Sequence, residues 1–424
     1  MNLEFYNQSQ NNHLKLLFLS LLILPFHTLT GIIILLFVCY QIWRSNYQQI
    51  IKHILSKALL LSSVLLIISS ILAYNPGEAW LGIPHFLPFF LVFLALRTLI
   101  TDYQDLYFII YPIIFNSLLV IFFGVAELHF GWISSDFLYQ ILGWQLTGGG
   151  DPVGRLASVF PYANLAALYF VIVIIFAIAL LIERTRKQTL QKLDWFLIIT
   201  IILNIIALGL TNSRNGWIIC FLSLVVFALY LGWNWIVQAF AIVGLIVSGA
   251  SFGNFLGQNL LRRIVPDFLW LRFSDEAYPD RPVAIQRVTQ WNFCWDLIGD
   301  RPFWGWGLRN FSILYEQKMA TYLGHPHNIF LMLGAETGLL NLLVLSLIIG
   351  WILARGCLAF ISLKKNNYPR IIFFSFLIVM GAYFLYNLAD INLFDLRLNT
   401  IAWLILASIS GISEKVLKQE KFNH

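Results

Sequence analysis

Gly324-His325-Pro326-His327-Asn328-Ile329-Phe330-Leu331-Met332-Leu333 decides how this chain is read. On its N-terminal side lies a tract of about seventy residues, 253–326, in which Arg, Asp, Trp and His collect. On its C-terminal side begins an apolar run long enough to cross a bilayer. The 424-residue chain is 59% hydrophobic and only 11% charged, with mean hydropathy +0.77. Most of its backbone must therefore satisfy its own hydrogen bonds in lipid, and the place where polar side chains gather is where chemistry is expected.

Working outward, apolar runs fall near 57–74, 81–99, 106–128, 162–182, 194–210, 216–232, 236–252, 329–354, 371–388 and 399–413. Residues 14–43 would make a helix of about 45 Å, too long for one simple span and short for two. Pro25, His27 and Gly31 interrupt that stretch, so it reads as a short hairpin. The expectation is an all-α polytopic integral membrane protein with about twelve transmembrane helices and one large, partly helical loop. It divides into N-terminal transmembrane helices (1–252), the loop (253–326), and C-terminal transmembrane helices with a tail (327–424). A soluble domain is excluded.

The net charge of +6 does not point to nucleic acid, because the basic residues occupy short connectors rather than one surface. Arg44, Lys52 and Lys57; Arg184, Arg186, Lys187 and Lys192; Arg355, Lys364, Lys365 and Arg370; and Lys415, Lys418 and Lys421 mark alternate connectors as cytoplasmic. The same alternation puts 129–160, 211–215, 253–326 and 389–398 on the opposite face. Cys39, Cys220, Cys294 and Cys357 are far apart and indicate neither a disulfide framework nor a metal cluster. The polar N-terminus carries no basic region or small-residue cleavage site, so no cleaved signal peptide is read.

Four segments on that outer face carry candidate chemistry. Arg155 and Asn164 flank Phe160-Pro161, and Asn164 is expected on the first turn of a helix; the pair reads as a capped helix start or as a substrate contact. Arg214, in Thr211-Asn212-Ser213-Arg214-Asn215-Gly216, is placed at the membrane boundary by the cost of burying it, about 2.5–3.5 kcal/mol at a helix centre. There it could meet lipid phosphates or hold an anion through paired hydrogen bonds. Ile285, Val288, Trp291, Trp295 and Ile298 recur at helical spacing, which reads as an interfacial amphipathic helix with Arg287 near its rim. Phe303-Trp304-Gly305-Trp306-Gly307 follows as a tight turn whose indoles could rest on the membrane or stack on a sugar. Pro326 suits a first helical position, leaving His327 at a helix N-terminus as a cap or a general base. A metal is disfavoured because no carboxylate or Cys stands at ligand spacing from His325 and His327.

Taken in order, Arg155…Asn164, Ser213-Arg214-Asn215-Gly216, Arg287…Trp291, Pro302-Phe303-Trp304-Gly305-Trp306-Gly307 and His327-Asn328…Glu336-Thr337-Gly338 resemble the bacterial O-antigen ligase and O-antigen polymerase superfamily. The resemblance covers roughly 155–345. It implies a metal-independent, inverting glycosyltransferase without cofactor, in the bacterial inner membrane, with a periplasmic active face. The implied partners are an undecaprenyl diphosphate-linked glycan donor, a glycan or lipid-anchored sugar acceptor, and membrane lipid, as in polysaccharide (O-antigen, lipopolysaccharide) biosynthesis at the cell envelope. By the same resemblance His327 is the catalytic base and Arg214 and Arg287 hold the diphosphate; Arg155, Asn164 and Asn328 are candidate substrate contacts, Arg155 and Asn164 matching a less specific signature that a structural role would also satisfy. Glu336, about 13 Å further along the helix from His327, is assigned to packing or to a cavity wall.

A transporter of a small anion such as bicarbonate is the alternative, since it too would use membrane Arg and His. It would be expected to show internal repeats and interrupted helices at the midplane. A flippase would line its passage with charge, and a non-catalytic assembly partner could dispense with the Arg and His set.

Overall fold

The computed structural model describes residues 2–185, 190–274, 276, 280, 282–363 and 369–423; Arg186, Lys187, Lys364 and Lys365 of the charged connectors lie outside these. The expected hairpin is present as α1 (Asn2–Ile23) and α2 (Thr28–Lys52), packed on each other. A Cβ on Gly31 would lie 2.7 Å from the Leu24 backbone, so glycine permits the close return. Then follow α3 (Ile54–Ile71), α4 (Pro76–Gly82), α5 (Leu87–Leu99), α6 (Tyr107–Phe130), α7 (Asp136–Leu142), α8 (Ala163–Thr185), α9 (Lys192–Leu210), α10 (Arg214–Leu231) and α11 (Asn234–Phe252). The polar tract folds as α12 (Gln258–Ile264), α13 (Asp267–Phe273), α14 (Arg287–Asp300) and α15 (Asn310–Met319). The chain closes with α16 (Ile329–Ser362), α17 (Pro369–Asn387) and α18 (Leu396–Asn423).

Among the described residues eleven segments are long and apolar enough to cross a membrane, and α1 pairs with the first of them. The protein is an all-α, multi-pass membrane protein. α8 is its axis. Every side chain from Leu165 to Ala177 is buried, as befits a helix apolar all round. α6, α9, α10 and α17 pack around it. At the other side α18 lies between α5, α16 and α17.

α14 corrects the amphipathic reading. Val288 and Trp295 of the expected stripe are exposed, whereas Gln290, Phe293, Cys294, Leu297 and Ile298 are buried. Phe293, Cys294 and Leu297 form a second apolar row, and Phe311 and Tyr315 of α15 with Ala335 of α16 cover it. Protein rather than lipid headgroups thus takes the stronger face.

The Phe303–Gly307 turn is held by backbone. Trp306 N and Gly307 N donate to Ala335 O and Glu336 O at 2.9 and 2.7 Å, and Leu339 N donates to Pro302 O at 2.7 Å. The pairing needs a break in α16, which Gly338 supplies with φ +79°. Glu336 is buried, and its Oε1 accepts from Phe311 N at 3.1 Å, in keeping with the packing role expected of it. A Cβ on Gly338 would lie 2.1 Å from Phe303 O. Gly338→Ala is therefore expected to destabilise the fold by about 2–4 kcal/mol, combining left-handed strain with overpacking. A melting temperature in detergent equal to wild type would refute this.

Candidate active site

α16 begins at Ile329, not at Pro326, because Asn328 is the better cap. Asn328 Oδ1 accepts from Phe330 N and Leu331 N, both at 3.0 Å, and Nδ2 donates to Leu388 O at 3.1 Å. The structure thus gives this expected substrate contact a capping task. His327 precedes the cap in a left-handed conformation, φ +54°, which a non-glycine residue holds only where its surroundings fix it. Asp390, on the connection between α17 and α18, does the fixing: His327 Nδ1 lies 3.1 Å from Asp390 Oδ1. The carboxylate is fully buried while the imidazole is 30% exposed. Facing an acceptor-only carboxylate, Nδ1 carries a proton, and in the neutral ring that tautomer places the lone pair on Nε2.

Asp390 also joins the segments that the sequence singles out separately. Its Oδ2 accepts from Asn164 Nδ2 at 2.7 Å, and Asn164 Oδ1 accepts from Arg155 Nη2 at 2.5 Å. Arg155 Nε donates to Thr211 O at 2.8 Å, reaching the turn that carries Arg214. Asn164 lies in the first turn of α8, as expected. The loop before it is seated by buried Glu127, whose carboxylate accepts from Thr147 N at 3.0 Å and Ser158 N at 2.7 Å. Arg155, Asn164, Asp390 and His327 therefore form one hydrogen-bonded series.

Burial pushes the Asp390 carboxyl up, but its hydrogen bonds to His327 and Asn164, with the charge either imidazole carries when protonated, outweigh it. The group is held below the usual carboxylate range and is ionised at neutral pH. Burial pushes the His325 imidazole down to about 4, against the Asp390 carboxylate and with the charges of His327 and Arg287 adding to the fall. His325 is therefore neutral. Its Nδ1 accepts from His327 N at 3.3 Å, and the two rings meet edge to face at 4.6 Å.

Arg214 opens α10 behind a Ser213 cap. Gly216 lets this helix end approach α8, where a Cβ would come within 2.8 Å of Ala167 Cβ. Asn215 Nδ2 donates to Tyr386 O at 3.3 Å, fastening the turn to the helix that leads to Asp390. α13 folds over the same turn: Arg214 Nη1 donates to Arg272 O, and Arg272 Nη1 donates to Asn212 O at 2.9 Å. Arg287 opens α14, which Trp291 Nε1 ties to Pro326 O at 3.1 Å. The 253–326 loop thus meets the Arg214 turn through α13 and the His325–Asn328 turn through α14.

Asp390 and Arg272 are the residues that the sequence reading lacks. Asp390 lies 63 positions from His327, and only its place in a short turn after an apolar span marks it. Arg272 has no distinguishing spacing. Asp390 also alters the metal argument, since a carboxylate does accompany the two histidines: ligand atoms of His325, His327 and Asp390 lie within 4.8 Å of one another. The donor types suit a divalent cation, although both Nδ1 atoms are already engaged in hydrogen bonds.

Beneath the His327 turn, an apolar cavity of about 260 Å³ runs between α16, α17 and α18, lined by Ile329, Phe330, Leu333, Met380, Phe384 and Leu406. Its upper wall thus begins two residues after His327.

Residues 199–346 match the family model described as O-antigen ligase, and the match supports the O-antigen ligase/polymerase superfamily. It takes in Arg214, Arg272, Arg287 and His327, while Arg155, Asn164 and Asp390 fall outside it. No curated protein matches the chain.

Proposed function

With membrane glycan ligation or polymerisation as the family's chemistry, we propose that this protein transfers a glycan from an undecaprenyl diphosphate carrier to an acceptor hydroxyl on the periplasmic face of a bacterial inner membrane. The observation that carries the reading is the His327–Asp390 pair, bonded through Asn164 and Arg155 to the turn that bears Arg214. Asp390 orients the imidazole, and Nε2 takes the proton from the attacking hydroxyl. The hydroxyl oxygen bonds to the anomeric carbon as the bond to the diphosphate oxygen breaks, and the configuration inverts. The diphosphate leaves without needing a proton, so its growing charge is the main electrostatic load. Arg214 and Arg287, with Arg272 beside Arg214, are assigned to it because guanidinium pairs with phosphate oxygens at two points and stays charged when partly desolvated. The apolar cavity below the His327 turn suits the prenyl chain.

The reaction is assigned no metal, because His327 Nδ1 is committed to Asp390 and Nε2 is needed as base. Activity of the purified protein is expected to survive treatment with EDTA. Loss on chelation and return with one divalent cation would move His325, His327 and Asp390 to a metal-centred mechanism.

The deciding experiment is gel analysis of surface polysaccharide and carrier-linked glycans in a deletion strain complemented with wild type or His327→Ala. Single-repeat glycans in place of a ladder identify a polymerase; full-length chains retained on the carrier identify a ligase. A normal pattern with His327→Ala, or unchanged glycans with reduced anion uptake on deletion, overturns the transferase and favours the small-anion transporter.

A further inference from the structure

At the end of the bundle opposite His327, a cavity of about 160 Å³ lies between α3, α5, α16 and α18. Arg97, Arg355, Lys418, His53 and Glu414 line it. Arg97 is only 4% exposed; it donates to Glu414 Oε2 and faces His53 Nε2 at 2.9 Å. Lys418 Nζ reaches Glu414 Oε1 at 2.7 Å. One carboxylate therefore serves Arg97, Lys418 and His53. Arg355 reaches the face of Trp351 at 5.9 Å, and no carboxylate pairs with it among the described residues. Arg97, Arg355 and Lys418 against Glu414 leave two positive charges in excess within one cavity. Such an excess is costly when partly desolvated, and an anion relieves it.

Depth and surroundings identify the anion. Arg355 follows Ile329 by 26 positions. A rise of about 1.5 Å per residue makes that about 39 Å, which carries it past a hydrocarbon core of about 30 Å to the opposite headgroups. The cavity wall includes Ile54 and Trp351, both exposed on the bundle's flank, so it opens where lipid would lie. We propose that this cavity binds the phosphate of an anionic phospholipid in the leaflet opposite the active site. Arg97 forms its floor, Arg355 and Lys418 its rim, and Trp351 the interfacial anchor beside the acyl chains. The site is separate from the transfer reaction, and its test does not depend on that reading.

The test uses the full chain in detergent with phosphatidylglycerol or phosphatidylcholine supplied, and native mass spectrometry reads the lipid retained. Phosphatidylglycerol is expected to be retained by wild type, and about thirtyfold more weakly by Arg355→Gln/Lys418→Gln, at about one surface charge's worth of attraction per substitution. Arg97 is left in place, because its loss would strand Glu414. If the double variant does not fold, Lys418→Gln, at an exposed position, replaces it and is expected to lose about fivefold. Equal retention by a folded variant, or equal retention of phosphatidylcholine, overturns the proposal. Saturable binding of inorganic phosphate that displaces the lipid overturns it also, and assigns the cavity to a free anion.

Discussion

Replacing His327 with alanine is expected to lower the rate of glycan transfer about a thousandfold, the contribution of a well-placed general base. Asp390→Asn is expected to come close to the same loss while leaving packing almost unchanged, because an amide can present its NH2 to Nδ1 and favour the wrong tautomer. The two losses should not add: once either member is gone, the other has nothing to act through. Purified variants assayed with a carrier-linked donor would read this directly, with melting temperature as the control for folding. Independent, multiplicative effects of the two substitutions would show that Asp390 does not act through His327. Acid provides a second handle. Because the Asp390 carboxyl is held below its usual range, the stability its bonds contribute is complete above about pH 4 and is lost as the pH falls further.

The fold was legible because lipid imposes one rule on every span. Long apolar runs located the membrane helices, though α16 and α18 run on to Ser362 and Asn423, well past the expected ends at 354 and 413, and the interruption at Pro25, His27 and Gly31 located the hairpin of α1 and α2. Helix ends were less legible, since they depend on which cap wins. Pro326 looked like a first helical residue, but Asn328 satisfies two amides and the helix starts after it. The face of α14 is illegible for a related reason: two apolar rows compete on that helix, and the choice between them is made by α15 and α16, which no local spacing reveals.

The candidate site was legible as fragments. Arg155, Asn164, Arg214 and His327 stand out as polar side chains beside the ends of apolar helices, and Arg287 as the rim of a helix inside the loop. What links three of those fragments is Asp390, a single carboxylate in a short turn that accepts from Asn164 and faces His327. Charge placement gave no reason to prefer it over Asp395 nearby. Asp395 is turned instead to Arg397, at 2.7 Å, a partner two residues along its own chain. Long-range pairing separates the two aspartates.

Arg214→Lys is expected to reduce transfer about fiftyfold although the charge is kept. Lysine offers a point charge where guanidinium offers two parallel donors, and losing one charge-assisted hydrogen bond costs about 1.5–3 kcal/mol. The structure gives this arginine another task, since Nη1 donates to Arg272 O and so fastens α13 over the α9–α10 turn. The two tasks separate by measurement. If Arg214 binds the diphosphate, Arg214→Lys weakens binding of undecaprenyl diphosphate to the purified protein and leaves the melting temperature near wild type. If it only fastens α13, the melting temperature falls and diphosphate binding by the folded fraction is unchanged. Arg272→Lys calibrates the comparison: its own bond, to Asn212 O at 2.9 Å, closes the same turn from the other side. A loss of binding with Arg214→Lys but not with Arg272→Lys would make Arg214 the phosphate ligand and Arg272 the brace that holds the loop above it. Near-normal transfer by Arg214→Lys would remove Arg214 from the diphosphate site.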